Sequence, residues 1–431
     1  MLKKLSKLKL RGFNNKNIKT ALWSALETGS APLFTFLLLP ILNHVFGLAG
    51  YGNYVLLLAV VTMMGFAGLG SNLAIVKPLA VNLHNSDPLH IARLLGTALW
   101  VNLAGTIFFS ALLFLLWFSS PAWIASFDWF KQIDQTLIVC LCAMLITTQL
   151  DLVTSSTLKG LQFFAYSSIT ELILRTFGFI ALVIVAFGLK NIQSLFICQI
   201  IVNLLSVTVR LQLIKKLSGI KFSQLKFLIT ISQDLFVTGR WMALQYMLWS
   251  IYGVVDKLAV GSILGAKEAG IYNILLQFSL LLQLAIMGLF SAIYPKFSRE
   301  NILIDKRLIK SLILLVLVIS MPYVAALIFL KFYIFNYFLI ANTFSSVFNA
   351  LIFSTILMSL NLPFFYIAFS NKNLKKLTAY FALSTLTYTF LLYPLILRYG
   401  MLGAVIAKLL GIIILSVLIC YGIFKAKDST I

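Results

Sequence analysis

The sequence is poor in charged residues, and in acidic residues above all. Only 11% of its 431 residues are Asp, Glu, Lys or Arg, and only 12 of them are acidic. Soluble domains are about a quarter charged. Because 61% of the residues are hydrophobic and the mean hydropathy is +1.00, most of the chain must lie in lipid. The composition therefore predicts a polytopic membrane protein.

Cysteine and histidine are also rare, with four and three copies, and their spacing matches no metal site. We expect neither a metal nor a cofactor. No G-x-x-x-x-G-K-[ST] sequence is present, which excludes an ATP-driven pump. The net charge of +22 is not a sign of nucleic-acid binding, because no soluble stretch is long enough to fold a binding domain.

At roughly 20 apolar residues per span, the sequence predicts twelve transmembrane helices. Alternate connections, counted with the span ends beside them, carry 25 of the 34 Lys and Arg residues, the other connections carry five, and four lie deeper inside spans. Since positive charge marks the cytoplasmic side, both termini are expected there. The predicted spans are residues 20–45, 51–76, 91–118, 135–158, 167–188, 192–214, 233–264, 269–294, 308–330, 338–360, 377–397 and 401–424.

A short pattern occurs twice, 218 positions apart, as FGLAGYGNYVLL and LGAKEAGIYNIL. In each copy a glycine is followed by a second glycine and then by a tyrosine, which suggests a turn beside a tyrosine at the membrane interface. The repetition indicates an internal duplication into two parallel six-helix repeats around a central cavity. The residues are Gly47, Gly52 and Tyr54, and Gly265, Gly270 and Tyr272.

The duplication divides the chain into five predicted segments. Residues 1–19 alternate leucine with Lys and Arg, which suits an amphipathic segment on an anionic cytoplasmic leaflet, although a solvated basic tail has the same composition. The others are the first lobe at 20–214, a cytoplasmic linker at 215–232, the second lobe at 233–424 and a cytoplasmic tail at 425–431. The predicted fold class is all-α.

Charged side chains inside spans mark the candidate site, since each costs roughly 2.5 to 3.5 kcal/mol at mid-span. Arg240 and Lys408 have no acid within a helical turn of their own sequence. With Arg175 they are our candidates for binding an anionic substrate, because guanidinium and ammonium groups both bind anionic oxygens. Candidates for coupling or charge pairing are Glu27, Asp151, Glu171, Asp256 and Lys257.

Structural pairing is the alternative for several of these residues. Glu171 and Arg175 are four residues apart, on one helix face, and can neutralise each other. Glu27 can pair with Arg240 or Arg175 between helices. The neighbouring Asp256 and Lys257 can neutralise each other or act as a gate.

The two glycine turns, the Asp256-Lys257-x-x-x-Gly261 run, the duplication and the basic loops together resemble a known family. It is the Wzx-type O-antigen or polysaccharide flippases of the MATE-like MOP (multidrug/oligosaccharidyl-lipid/polysaccharide) exporter superfamily. The resemblance extends over residues 18–424 and implies a transporter, not an enzyme. The implied activity is alternating-access, ion-gradient-coupled transfer of an undecaprenyl-diphosphate-linked oligosaccharide across the bacterial inner membrane. Spans 1 and 7, which carry Glu27 and Arg240, would line a cationic cavity.

The implied partners are the lipid-linked oligosaccharide, the bilayer and other membrane proteins of polysaccharide assembly. Two alternatives remain. A MATE-type multidrug or cation antiporter would favour acidic cavity residues, whereas Lys and Arg exceed acids here. A membrane polymerase or glycosyltransferase would expose a large extracytoplasmic loop, and the longest predicted here, 119–134, has only Asp128, Lys131 and Asp134 as charged residues.

Overall fold

The computed structural model contains helices and the turns that connect them, and no strand among the residues that it describes. It describes residues 15–81, 87–120, 127–299, 306–370 and 374–428, and the structural statements below concern these residues. Most of the predicted amphipathic segment 1–19 lies outside them. The described ranges contain fourteen α-helices: α1 Asn15–Met63, α2 Ser71–Ala74, α3 Val76–Val81, α4 Pro88–Ser119, α5 Asp128–Lys131, α6 Gln135–Gly160, α7 Phe164–Leu189, α8 Ile192–Ser218, α9 Ile229–Ile263, α10 Ala266–Arg299, α11 Lys306–Tyr337, α12 Ser345–Ser370, α13 Leu374–Tyr399 and α14 Met401–Asp428.

Ten stretches of the described chain are long and apolar enough to cross a membrane. Parts of predicted spans 1 and 2, residues 33–45 and 51–68, fall together in one of them, Leu33–Gly68, because α1 continues beyond a kink. Predicted span 7 corresponds to α9, which is not among the ten. The prediction of an all-α polytopic membrane protein is confirmed, whereas the count of twelve spans is not confirmed in full.

The kink in α1 is at Gly47, the first glycine of the first repeated pattern. Its φ of 69° and ψ of 175° are not helical, and no atom would lie within 4 Å of an added Cβ. The positive φ, rather than packing, therefore makes glycine necessary here. Gly265, its counterpart in the second copy, has a φ of 113°, so the positive φ expected of these glycines is confirmed for the first glycine of each copy.

The second glycine of each copy has a different role from the predicted one. Gly52 and Gly270 lie inside helices and have no positive φ. A Cβ on Gly52 would lie 1.7 Å from the carbonyl oxygen of Ala266, and one on Gly270 would lie 2.5 Å from that of Leu48. These glycines allow α1 and α10 to approach closely.

This contact is reciprocal. Leu48 and Ala266 occupy equivalent positions in the two copies, as do Gly52 and Gly270. Gly52 of the first copy packs against Ala266 of the second, and Gly270 of the second copy packs against Leu48 of the first. This exchange is expected for two elements related by a two-fold axis. Beside them, Asn273 Nδ2 donates a hydrogen bond to the Tyr51 hydroxyl at 2.6 Å. We call this set of contacts between the two halves the glycine contact.

The tyrosines of the two copies are buried within the protein, so they do not face lipid as the tyrosines of an interfacial belt do. Tyr54 is 9% exposed and Tyr272 is fully buried. The hydroxyl of Tyr272 donates a hydrogen bond to Asp256 Oδ2 at 2.9 Å. This carboxylate supplies the hydrogen bond that a buried tyrosine hydroxyl needs.

The α-helix at predicted span 2, residues 51–76, is shorter than predicted. The α-helix ends at Met63, and a 3₁₀ turn, Met64–Gly68, leads to the short helices α2 and α3. Gln149 Nε2 on α6 donates to the Gly65 carbonyl oxygen at 2.6 Å. Irregular backbone at membrane depth is tolerated where other protein groups form the hydrogen bonds that its N–H and C=O groups would form in a helix.

Candidate functional site

A cavity of about 730 Å³ lies between the two halves of the chain. Its wall includes residues of α1, α6, α7 and α8, and residues 246–277 of α9 and α10. Tyr51 and Asn273 place one end of the cavity beside the glycine contact. Lys159, the penultimate residue of α6, also lines it. The cavity therefore extends from the glycine contact toward the far end of α6.

Positive charge exceeds negative charge in the wall of this cavity. Four basic and two acidic side chains line it, which leaves a formal charge of +2. An excess of charge in a water-poor cleft attracts ions of the opposite sign. The six residues are Asp151, Lys159, Glu171, Arg175, Arg210 and Lys257.

Four of these side chains form a row of alternating charge through the first half. Arg210, whose side chain is 1% exposed, lies inside the row between Asp151 and Glu171. Its Nη1 donates to Asp151 Oδ1 at 2.7 Å and to the Asp151 carbonyl oxygen at 3.1 Å. Its Nη2 donates to Glu171 Oε2. This one guanidinium thereby neutralises two acids on α6 and α7.

Arg175 is at one end of the row and is the most exposed of its four side chains. Arg175, with a side chain 31% exposed, donates from Nε to Glu171 Oε1 at 2.5 Å. At the opposite end of the row, Asp151 Oδ1 also accepts a hydrogen bond from the Ser206 hydroxyl at 2.5 Å. The Arg175–Glu171 pairing expected from their spacing is therefore present, with Arg210 as a second partner of the same acid.

Arg210 was missed from the sequence because it was counted among the basic residues of the cytoplasmic connection after predicted span 6. A signal for its burial was available. Gln199, Asn203, Ser206 and Arg210 follow one another at spacings of four, three and four residues, which is the period of one helix face. Asn203 Nδ2 donates to Thr148 Oγ1 at 3.0 Å, so this polar face packs against α6.

A second cavity, of about 400 Å³, lies mainly within the second half and contains Lys408 in its wall. Lys408 Nζ lies 2.9 Å from Asp256 Oδ2, and Asp256 is fully buried. The backbone N–H of Lys257 donates to the other carboxylate oxygen at 2.9 Å. Lys408, which has no acid near it in sequence, is thus neutralised by an acid 152 positions away.

The adjacent residues Asp256 and Lys257 face different surroundings. Consecutive side chains on an α-helix point about 100° apart. Asp256 contacts Lys408 and Tyr272 within the second half, whereas Lys257 lines the cavity between the halves. The pair therefore divides its charges between the two sides of α9.

The remaining candidate residues lie apart from this cluster. Arg240 is exposed on α9 and lines neither of the two cavities. Glu27 belongs to α1, but its side chain lies outside the described part of the structure. Among the described residues, no group of three or more His, Cys, Asp or Glu side chains could hold a metal ion.

Replacing Lys408 by methionine is expected to destabilise the protein, because it leaves the buried Asp256 carboxylate without its ammonium partner. Breaking a buried pair costs roughly 3 to 5 kcal/mol, whereas replacing both partners is often close to neutral. The double variant Lys408→Met/Asp256→Asn should recover most of the loss. Thermal unfolding in detergent measures both variants. Equal stability of wild type and Lys408→Met would show that the pair does not support the fold.

The fold and family of the chain follow from comparisons with known proteins. It is similar to an inward-facing multidrug resistance MATE family transporter of the MOP superfamily (TM-score 0.69, 12% identity, 96% of each chain covered). A second similar structure is the MATE multidrug transporter DinF-BH, solved as a complex (TM-score 0.65, 14% identity, 95% of this chain and 96% of that chain covered).

A third is a MOP superfamily transporter from Pyrococcus furiosus (TM-score 0.62, 13% identity, 96% of each chain covered), for which a reverse polarity of the binding pocket is described as suggesting a different function. A comparison with curated proteins finds no match in sequence. Residues 18–301 match the family model of polysaccharide biosynthesis proteins. The chain therefore belongs to the polysaccharide biosynthesis protein family and has the fold of the MATE transporters of the MOP superfamily.

Proposed function

We propose that this protein is a flippase that moves an undecaprenyl-diphosphate-linked oligosaccharide across the bacterial inner membrane by alternating access. The substrate would enter the cavity between the halves with its diphosphate against the basic side chains. Its polyprenyl chain would stay in the lipid. The family assignment supports a role in polysaccharide synthesis, and the fold supports transport.

The observation that carries this proposal is the charge of the cavity wall. A diphosphate loses its hydration on entering a narrow cavity, and hydrogen bonds from cations offset that loss. The formal charge of +2 favours such an anion. Lys257 contributes directly, since its side chain lines the cavity and forms no ion pair with any described residue.

The position of the cavity is consistent with entry from the cytoplasm. In the predicted orientation, α6 ends at the cytoplasmic side, and Lys159 brings the cavity close to that end. The glycine contact joins the halves at the predicted extracytoplasmic side. A substrate released outside would require this contact to separate, as alternating access demands.

Transport can be tested by reconstituting the protein into vesicles with a fluorescent polyprenyl-diphosphate oligosaccharide and following the label between leaflets under imposed ion gradients. The variant Lys257→Gln should slow transfer by roughly tenfold or more, the value of one lost hydrogen bond to a charged group. Arg240→Gln is the matched control, since it removes one positive charge from the same helix outside both cavities. Unchanged leaflet distribution with wild-type protein under every gradient would contradict the proposal.

Export of cationic drugs is the function to distinguish from this one. The related structures include multidrug transporters, but a positively charged wall repels a cationic drug. The same vesicles, loaded with a fluorescent organic cation, provide the comparison. Faster movement of the cation than of the lipid-linked oligosaccharide would favour a multidrug antiporter.

A further inference from the structure

We propose that Glu171 is a built-in competitor for the substrate's diphosphate at Arg175. Without substrate, the Glu171 carboxylate is hydrogen-bonded to the Arg175 guanidinium. When substrate binds, a phosphate group of its diphosphate takes the place of the carboxylate. This inference rests on the proposed function and assigns the anion-binding contact within it.

Arg175 has the position and the donors for such an exchange. Its side chain lies in the cavity wall and is 31% exposed. Nε and Nη2 face Glu171, while Nη1 is buried and has no hydrogen-bond partner among the described residues. A buried donor without a partner is rare in folded proteins. The guanidinium therefore has one donor that no described residue engages, and a turn of the side chain toward the cavity would present its planar edge to a phosphate.

Glu171 can leave Arg175 without becoming an isolated buried charge. Its second oxygen, Oε2, accepts a hydrogen bond from Arg210, whose side chain is 1% exposed. This contact holds the carboxylate while Arg175 turns to the substrate. Arg210 itself is too deeply buried to act as the mobile partner. One arginine thus positions the acid, and the other exchanges between the acid and the ligand.

The competition limits how tightly the cavity holds the diphosphate. The ligand must replace an existing charge-assisted contact rather than meet a free cation, so part of its interaction energy is offset. When the ligand departs, Glu171 returns to Arg175. A transporter needs this property because a substrate bound too strongly is released too slowly.

The test is binding of inorganic diphosphate to the purified full-length protein in lipid nanodiscs. Glu171→Gln keeps the size and hydrogen-bonding oxygen of the side chain but removes its charge. It should bind diphosphate roughly ten- to a hundredfold more tightly, the equivalent of one hydrogen bond to a charged group. It should also release the lipid-linked substrate more slowly in the vesicle assay.

Asp151→Asn is the matched control. It removes the same charge from the same cavity wall, but Asp151 pairs with Arg210 and not with Arg175. Its affinity for diphosphate should rise far less. Equal tightening in both variants would show a general electrostatic effect and overturn the competition. Glu171→Asp keeps the charge but shortens the reach to Arg175, so it should tighten diphosphate binding to an intermediate degree. It replaces Glu171→Gln in the test if that variant does not fold.

The two proposals fail in different ways. If vesicles show no transfer of the lipid-linked oligosaccharide but Glu171→Gln still tightens diphosphate binding selectively, the proposed substrate is wrong and the competition stands. If transfer occurs but diphosphate affinity is the same in wild type and Glu171→Gln, the competition is wrong. Absence of diphosphate binding in wild type and in both Glu171 variants also refutes it.

Discussion

Gly52→Ala is expected to abolish most of the transport activity. The new Cβ would lie 1.7 Å from the Ala266 carbonyl oxygen, half of the 3.4 Å at which ordinary contact begins. The obstacle is backbone, which cannot turn aside as a side chain can. Overpacking costs roughly 1 to 3 kcal/mol, occasionally more, and the strain is relieved only if α1 and α10 separate. The variant should therefore favour the state in which the glycine contact is open.

The measurement combines transfer in vesicles with the reactivity of a cysteine placed at Leu48, in a background where the exposed Cys420 is serine. Gly52→Ala should raise labelling of that cysteine by an impermeant maleimide added outside. Gly188→Ala is the control, because a Cβ at Gly188 meets no atom within 4 Å. Gly270→Ala should resemble Gly52→Ala. Wild-type transport by Gly52→Ala would mean that the contact does not form during the cycle.

Arg210→Ala is expected to be the most destabilising single substitution among the charged residues of the cavity. It removes the shared partner of Asp151 and Glu171. Removing one member of a buried ionic group costs roughly 3 to 5 kcal/mol, because the remaining charges lose their compensation. The protein should unfold at a markedly lower temperature in detergent and accumulate poorly in the membrane.

Arg175→Ala is the natural comparison for this prediction. Its side chain is 31% exposed, and Glu171 retains Arg210 after its loss, so the fall in stability should be much smaller. Adding Asp151→Asn and Glu171→Gln to Arg210→Ala should restore part of the stability. If the two arginine variants unfold at the same temperature, the row of alternating charge does not depend on Arg210.

Local patterns could be predicted from the sequence. The spacing of Glu171 and Arg175 fixed their pairing, because residues four apart on a helix are neighbours. The repeated pattern correctly indicated a positive φ at Gly47 and Gly265, although not at the second glycine of each copy. Composition was enough to predict a polytopic all-α fold, since only lipid could be the solvent of so apolar a chain.

Contacts between distant segments could not be predicted. Nothing in the sequence near Lys408 points to Asp256, which is 152 positions away. Gly52 and Gly270 were recognised as parts of the repeated pattern, but a glycine in a turn and a glycine at a close contact between helices look alike in sequence. Arg210 was misjudged because a basic residue near the end of a span is usually at the cytoplasmic surface, and only the polar face shared with Asn203 and Ser206 distinguishes it.

The glycine contact has a consequence for the energetics of transport. It consists mainly of Cα atoms against carbonyl oxygens, together with one hydrogen bond between an amide and a phenol. None of these groups changes its charge near neutral pH, and neither salt nor a membrane voltage acts strongly on them. An ion gradient therefore does not act directly on the glycine contact. In the proposed transport cycle, an ion gradient would act on the charged groups of the cavity, and the contact would open through the resulting displacement of α1 and α10.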